Sequence, residues 1–381
     1  MVSIVECKNY EPAQVRQALF ELLQPLGGLN WVTPGMKVGI KANLVTFMKP
    51  EAAGTTHPAL LCALVEMLKE KGAEVTLGDS PGGIYTAVYV DRVYAATGMK
   101  EAEKAGATLN HDFSVKEAEF PEAKVAKTFT YTGWLDSMDA IINFCKLKTH
   151  GMMSMSCAAK NMFGAVPGTV KPEYHYRFPD PMQFANMILD LNEYFKPCLH
   201  IVDGVIGMEG NGPTAGKPRQ IGLLMASANP HACDRIGAAL IGLSPDEVPT
   251  LKAAVLRGMI PENAEEIPTV GIDWKERIIP DFQLVERAKS LRFNRESETF
   301  FGRISAAVMD KALASVPYLH PAECIGCKEC FKICPADAIT MMEKKPVIDR
   351  KKCIRCFCCQ EFCPKGALKV KRPFLAKLLL K

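Results

Sequence analysis

Over roughly the first 240 residues, short apolar runs alternate with stretches whose apolar positions recur at helical spacing. Val2–Val5 and Lys37–Lys41 read as buried strands. Between them Pro12–Leu26 places Val15, Ala18, Leu19, Leu22 and Leu23 on one helical face and stops at Gly27-Gly28. His57–Lys71 reads as a second helix, with Thr56 as its cap, Pro58 in the first turn and Gly72 closing it. Ala73–Gly78, Ala140–Cys145, His200–Asp203 and Ile221–Ala226 read as further strands, and Pro230–Leu243 as a further helix. This alternation predicts an α/β body with a largely parallel sheet and crossover helices. Past Pro249 the pattern weakens. Residues 261–300, rich in Pro, Glu and Arg, read as a connector, and Phe300–Val316 as one helix.

Near the C-terminus the pattern is set by cysteines. Cys324-x2-Cys327-x2-Cys330-x3-Cys334-Pro335 recurs 29 positions later as Cys353-x2-Cys356-x2-Cys359-x3-Cys363-Pro364, and Ala338-Ile339 recurs as Ala367-Leu368. Three close cysteines reach three corners of a cubane cluster, and in this spacing the fourth cysteine of each run serves the other run's cluster. Two [4Fe–4S] clusters are therefore expected. Cys324, Cys327, Cys330 and Cys363 would hold one, and Cys353, Cys356, Cys359 and Cys334 the other. The stretch resembles a bacterial-type two-cluster ferredoxin over roughly residues 318–371. Structural zinc favours paired knuckles instead, and disulfides need an oxidising compartment. Cys358 fits no ligand position and reads as a small packed residue beside a cluster. The predicted organisation is an α/β body over residues 1–290, a linker with a helix over 291–317, a small α+β ferredoxin-like domain over 318–371 and a basic tail over 372–381.

At 381 residues, with 48% hydrophobic and 23% charged residues, the chain is of ordinary globular composition and long enough for two or three domains. Met1–Glu6 has no basic n-region before an apolar stretch, and no apolar run approaches the length of a membrane span. A cytoplasmic protein with no transmembrane segment is expected. The net charge of +4 is uneven, because residues 320–381 carry 14 Lys/Arg against 6 Asp/Glu. Anionic clusters account for part of that excess. Without interleaved aromatics it does not suggest a nucleic-acid surface. Cys7, Cys62, Cys145, Cys157, Cys198 and Cys233 lack ligand spacing and read mostly as small buried residues.

Ligand groups in open α/β sheets gather beyond the C-terminal ends of the strands. There the sequence places Lys41-Ala42-Asn43-Leu44, Thr55-Thr56-His57-Pro58, Asp79-Ser80-Pro81-Gly82-Gly83, Lys146-Leu147-Lys148-Thr149-His150, and Asp203-Gly204 with Met208–Pro213, and Lys160-Asn161-Met162-Phe163-Gly164 is added. Lysine and asparagine side chains beside helix starts and glycine loops suit an anion. Lys41, Asn43, Ser80, Lys146, Lys148, Lys160 and Asn161 are the expected anion-pocket residues, and such strand-end lysines should have little burial to lose. His57, Asp79, His150, Asp203 and Glu209 are the candidate acid–base or metal-binding groups. Dinucleotide and triphosphate fingerprints are missing from the sequence.

Taken in order, Ile40–Asn43, Thr56–Pro58, Gly78–Gly82, Lys146–His150, Lys160-Asn161, Asp203-Gly204 and Met208–Gly212 resemble the domain of unknown function family 362 over roughly residues 2–290. Some of its members carry a ferredoxin module behind that domain. The resemblance implies this two-part architecture and no particular reaction. Many relatives read Lys-Pro-Asn where this chain has Lys41-Ala42-Asn43. The expected function is iron–sulfur electron transfer, as a redox enzyme moving electrons between the clusters and an anionic ligand in the crevice. Its partners would be a redox protein or a small anionic substrate. The alternative is a non-enzymatic ligand- or metal-binding body whose clusters act as a redox sensor or as an electron donor in cofactor assembly.

Overall fold

The computed structural model describes residues 1–168, 170–285 and 315–371. The body opens with β1 (Val2–Glu6), α1 (Pro12–Leu23), β2 (Lys37–Lys41), α2 (Pro58–Glu70), β3 (Glu74–Gly78), α3 (Ala87–Ala96), α4 (Met99–Lys104) and β4 (Thr108–Leu109). A hairpin of β5 (Val115–Glu119) and β6 (Thr128–Thr132) leads into β7 (Ala140–His150), which folds back as β8 (Ser154–Ser156). Then come α5 (Ala158–Asn161), α6 (Lys171–Arg177), α7 (Pro181–Phe195), β9 (Leu199–Glu209), β10 (Lys217–Ser227), α8 (Pro230–Leu240), α9 (Pro249–Leu256) and β11 (Thr269–Gly271).

These strands form one nine-stranded sheet in the order β11-β1-β10-β9-β7-β2-β3-β4, with β8 on β7. The pairs β2–β3, β2–β7, β3–β4, β7–β9 and β1–β11 are parallel, whereas β1–β10, β9–β10 and β7–β8 are antiparallel. The sheet is thus largely parallel, and it is buried on both faces, as crossover helices require. Alternation along β7 shows how: Ile142 and Phe144 join the core under α1 and α2, while Cys145 and Leu147 join the core under α7 and α8. In β9, Ile201 and Val202 divide in the same way.

Two strands run further than their apolar stretches suggest. β7 continues through Lys146 to His150 because β8 and β9 still supply ladder partners there, and β9 continues to Glu209 against β10. Their polar residues therefore lie within the sheet rather than in loops beyond it. The cap of α2 also differs from expectation. His57 is the N-cap, its Nδ1 accepting from the Ala59 amide at 3.3 Å. Thr56 instead ties β2 to β7, its Oγ1 accepting from the Asn43 amide and donating to the Phe144 carbonyl.

The C-terminal module is a small α+β unit built on the cysteine repeat. β12 (Val316–Leu319) pairs with the module's last strand (Leu368–Lys371), and between them lie α10 (Glu329–Lys332), β13 (Ile339–Met342), β14 (Lys345–Ile348) and α11 (Cys358–Glu361). It packs directly on the body. Gln360, fully buried, donates from Nε2 to the carbonyls of Asn211 and Gly212 at 3.0 Å each. The Val370 amide donates to Asn211 Oδ1, and Phe357 and Val370 join the body's core. Of the helix expected over Phe300–Val316, Ser315 is not helical and Val316 opens β12; residues 286–314 and the basic tail over 372–381 lie outside the described residues.

Candidate functional site

The eight repeat cysteines surround two cavities within the module, of about 350 and 330 Å³. Cys324, Cys327, Cys330 and Cys363 line the first, and Cys334, Cys353, Cys356 and Cys359 the second. In each the fourth thiol comes from the other run. Backbone amides already point at these two sulfurs: Ala338 N–H donates to Cys334 Sγ at 3.3 Å, and Ala367 N–H to Cys363 Sγ at 3.2 Å. Thiolates around a cavity, with amide donors on sulfur, are the donor set an iron–sulfur cubane takes. Among the described residues no His, Cys, Asp or Glu trio converges as a lone metal ion would need. A cubane needs no such convergence, since each thiolate binds its own iron. The residues fit the group.

A third cavity, about 710 Å³ and partly open to solvent, lies where the body meets the module. The body contributes Lys41 and Asn43 from the end of β2, Asp79, Ser80 and Gly82 from the loop after β3, Lys148 and His150 from β7, and Lys160 and Asn161 from α5. Phe163, and Lys171 and His175 of α6, complete that side. The module contributes Cys358, Glu361 and Phe362. Cys358, 1% exposed, lines both this crevice and the cavity of Cys334, Cys353, Cys356 and Cys359.

Lys41 is held rigidly. Its ammonium reaches Asp79 Oδ1 at 2.8 Å and donates to Asn161 Oδ1 and the Ala42 carbonyl, each at 2.9 Å, which uses all three donors. Asn161 passes the network to Asn143, whose Nδ2 lies 2.9 Å from His200 Nδ1. Gly164 allows this arrangement, because a Cβ there would collide with the Lys41 and Asp79 head groups. Lys148 donates to Asn43 Oδ1 and the Gly54 carbonyl at 2.6 Å each. Lys160 makes no hydrogen bond among the described residues, and its ammonium lies 5.8 Å from the Phe163 ring centre. Burial lowers the pKa of each of these lysines. Lys41, Lys146 and Lys148 are 1% exposed, contrary to the expectation of little burial, because their side chains lie within the sheet.

His150 is buried, and its Nδ1 accepts from the Met152 and Met153 amides, so its proton sits on Nε2, 2.7 Å from Glu361 Oε1. Burial lowers the His150 pKa to about 4, which keeps it neutral. Burial alone would raise the Glu361 pKa, but His150 and Lys160 outweigh it and hold the carboxyl below its usual range. Ser80 Oγ accepts from the Gly168 amide at 2.7 Å.

Four sequence-derived candidates lie outside the crevice lining. Lys146 turns away from it, binding Asp203 Oδ2 at 2.6 Å and donating to Tyr10 and to the Ile206 carbonyl. A break in the β7–β9 register falls between Lys146 and Lys148 and separates two lysines that simple alternation would leave on one face. Asp203 also accepts from Tyr10 and from the His57 amide, while the His57 ring stacks on Tyr10 at 3.5 Å. Glu209 accepts from the Gln283 amide. Reading the sequence did not single out Asn143, Lys171, His175, Glu361 or Phe362, and it took in Phe163 only as part of the stretch Lys160–Gly164. Asn143 had a signal, a polar residue inside the apolar run IINFC.

An α/β body bearing a 4Fe–4S ferredoxin module against a lysine-lined crevice defines the class, that of iron–sulfur proteins. The chain belongs to the family described as Domain of unknown function (DUF362), whose family model matches residues 38–239, and a model described as 4Fe-4S dicluster domain matches residues 316–364. It is 33% identical over 272 residues to a thylakoid-associated protein of Synechocystis sp., covering 69% of this chain and 81% of that one. Among solved structures it is similar to a protein of Thermotoga maritima, with 12% identity and a TM-score of 0.35 over 54% of this chain and 52% of the other. It is also similar to the lactate racemase apoprotein of Thermoanaerobacterium thermosaccharolyticum, with 10% identity and a TM-score of 0.39 over 62% and 56%. The chain spans little more than half of each. Among the described residues no helix is long and apolar enough to cross a membrane.

Proposed function

We propose that this protein carries two [4Fe–4S] clusters and acts as an oxidoreductase, exchanging single electrons with a small anionic ligand held in the crevice. The observation that carries the reading is the shared wall. Cys358 borders both the crevice and the cavity of Cys334, Cys353, Cys356 and Cys359. When bound, the clusters supply one-electron transfer at potentials tuned by charge and by hydrogen bonds to sulfur. The run Cys324–Cys330 lies on the outer side, with Cys327 exposed, and faces an external redox partner. Lys148, Lys160 and Lys171 receive the ligand's charge, and Phe362 and Phe163 flank it. A reducing compartment such as the cytoplasm suits this chemistry. In the test, anaerobically reduced protein is mixed with a panel of small anionic metabolites and cluster absorbance is followed. At least one compound should reoxidise the protein, more slowly in Lys171→Met. Binding without any change in oxidation state would favour the non-enzymatic alternative.

The ligand site should also be pH-sensitive. Lys171 donates to the Ser80 carbonyl and faces Asp79, Lys41, Lys160 and Glu361; burial pulls its pKa down to about 7. A bound anion raises that pKa, so binding takes up a proton. Affinity should be full below pH 7 and fall as pH rises above it, by up to about tenfold per unit for one proton. Titrations of sulfate, a dianion throughout this range, between pH 6 and 8.5 check this. In Lys171→Arg the fall should disappear.

A further inference from the structure

The charges around the crevice do not balance. Four lysines line it, Lys41, Lys148, Lys160 and Lys171, against two carboxylates, Asp79 and Glu361. Lys41 and Asp79 neutralise each other at 2.8 Å. Glu361, whose Oε1 lies 2.7 Å from His150 Nε2, is the other carboxylate of the lining and offsets one more lysine. The acceptors of Lys148 and Lys171 are an amide oxygen and backbone carbonyls, all uncharged. Two ammonium charges thus remain without a carboxylate in a crevice only partly open to solvent.

Leaving ammonium groups in a desolvated site without counter-charge is unfavourable, and the groups relieve it by giving up protons. A ligand that supplies two negative charges removes the penalty and restores the protons. A monoanion leaves one charge unmet. Phe163 from the body and Phe362 from the module, with Pro213, give the lining apolar surface that accepts a carbon skeleton. We infer that the crevice takes a compact dianion, of the phosphate monoester or dicarboxylate class, held by Lys148, Lys160 and Lys171. This inference rests on the crevice being the ligand site, and it does not depend on electron exchange.

The test uses the full chain purified anaerobically, with inorganic phosphate, malonate and acetate titrated calorimetrically at constant ionic strength. Phosphate or malonate should bind saturably, and whichever binds tighter distinguishes the two dianion sources. Acetate should bind at least tenfold more weakly than that dianion. Each ammonium contact is a charge-assisted hydrogen bond, so Lys160→Met and Lys171→Met should each weaken the dianion by roughly ten- to a hundredfold. Lys171→Arg guards against misfolding and should retain binding; Lys8→Met, at an exposed site, should change nothing. Acetate binding as tightly as the dianions, or unchanged dianion affinity in Lys160→Met and Lys171→Met, would overturn the inference, as would no saturable binding by either dianion. Saturable dianion binding with no effect of any anion on cluster oxidation would leave it standing and remove the electron-exchange reading instead.

Discussion

Replacing Cys334 by serine is expected to disrupt the cluster held by Cys353, Cys356 and Cys359 while sparing the one held within its own run. Cys334 follows Cys330 in sequence, yet it lines the cavity of the second run, and Cys363 crosses reciprocally into the first. Serine oxygen is a poor substitute for thiolate at iron, so iron should fall from about eight per chain towards about four. Iron and acid-labile sulfide analysis, with electron paramagnetic resonance of the reduced protein, measures it. Loss of the magnetic interaction between two cubanes should accompany the loss of iron. Damage confined to the cluster of Cys324, Cys327 and Cys330 would refute the crossed ligation. Because the affected cavity is the one that Cys358 shares with the crevice, Cys334→Ser should also abolish any ligand-driven reoxidation. Cys363→Ser, on the far cavity, should leave the near cluster's spectrum in place.

The grouping of the eight thiols around two cavities was legible, because the spacing of each run brings three of its cysteines together and leaves the fourth to the other run. The sheet was legible in kind, because strands buried on both faces read as unbroken apolar runs. Strand ends were not. Lys146, Lys148 and His150 interrupt the apolar run without interrupting the ladder, and only neighbouring strands reveal that the backbone bonds continue. The crevice was half legible. Lys41, Asn43, Ser80, Lys148, Lys160 and Asn161 come together at its wall, whereas Lys146 is separated from them by a register break invisible in one sequence.

The module's share of the crevice had a signal in the differences between the two cysteine runs. At the 29-residue offset, exposed Lys328 becomes buried Phe357, exposed Phe331 becomes buried Gln360, and Lys332 becomes Glu361. Glu329 becomes Cys358 in the same way. A symmetric pair of cluster loops needs no such changes. They mark the copy that packs against the body, where Gln360 binds the Asn211 and Gly212 carbonyls and Glu361 meets His150. Lys171 and His175 carried no comparable mark. Their helix starts just after a loop, and nothing in its composition tells that it faces a cavity.

Lys146→Met is expected to destabilise the body by about 3–5 kcal/mol, the cost of leaving one member of a buried ion pair alone. Lys146 and Asp203 are 1% and 0% exposed and meet at 2.6 Å. The remaining lysine donors go to Tyr10 and to the Ile206 carbonyl, so the substitution also leaves polar partners unmet. A lysine waiting in solvent for an anion would show no such cost. Urea unfolding followed by tryptophan fluorescence reports on the body alone, because Trp31, Trp134 and Trp274 all lie within it. Adding Asp203→Asn to Lys146→Met removes the orphaned charge and should recover part of the loss. Phosphate affinity should change little in the double variant, since neither side chain lines the crevice. A Lys146→Met protein of unchanged stability with phosphate binding abolished would return Lys146 to the anion site and contradict the separation seen across the register break.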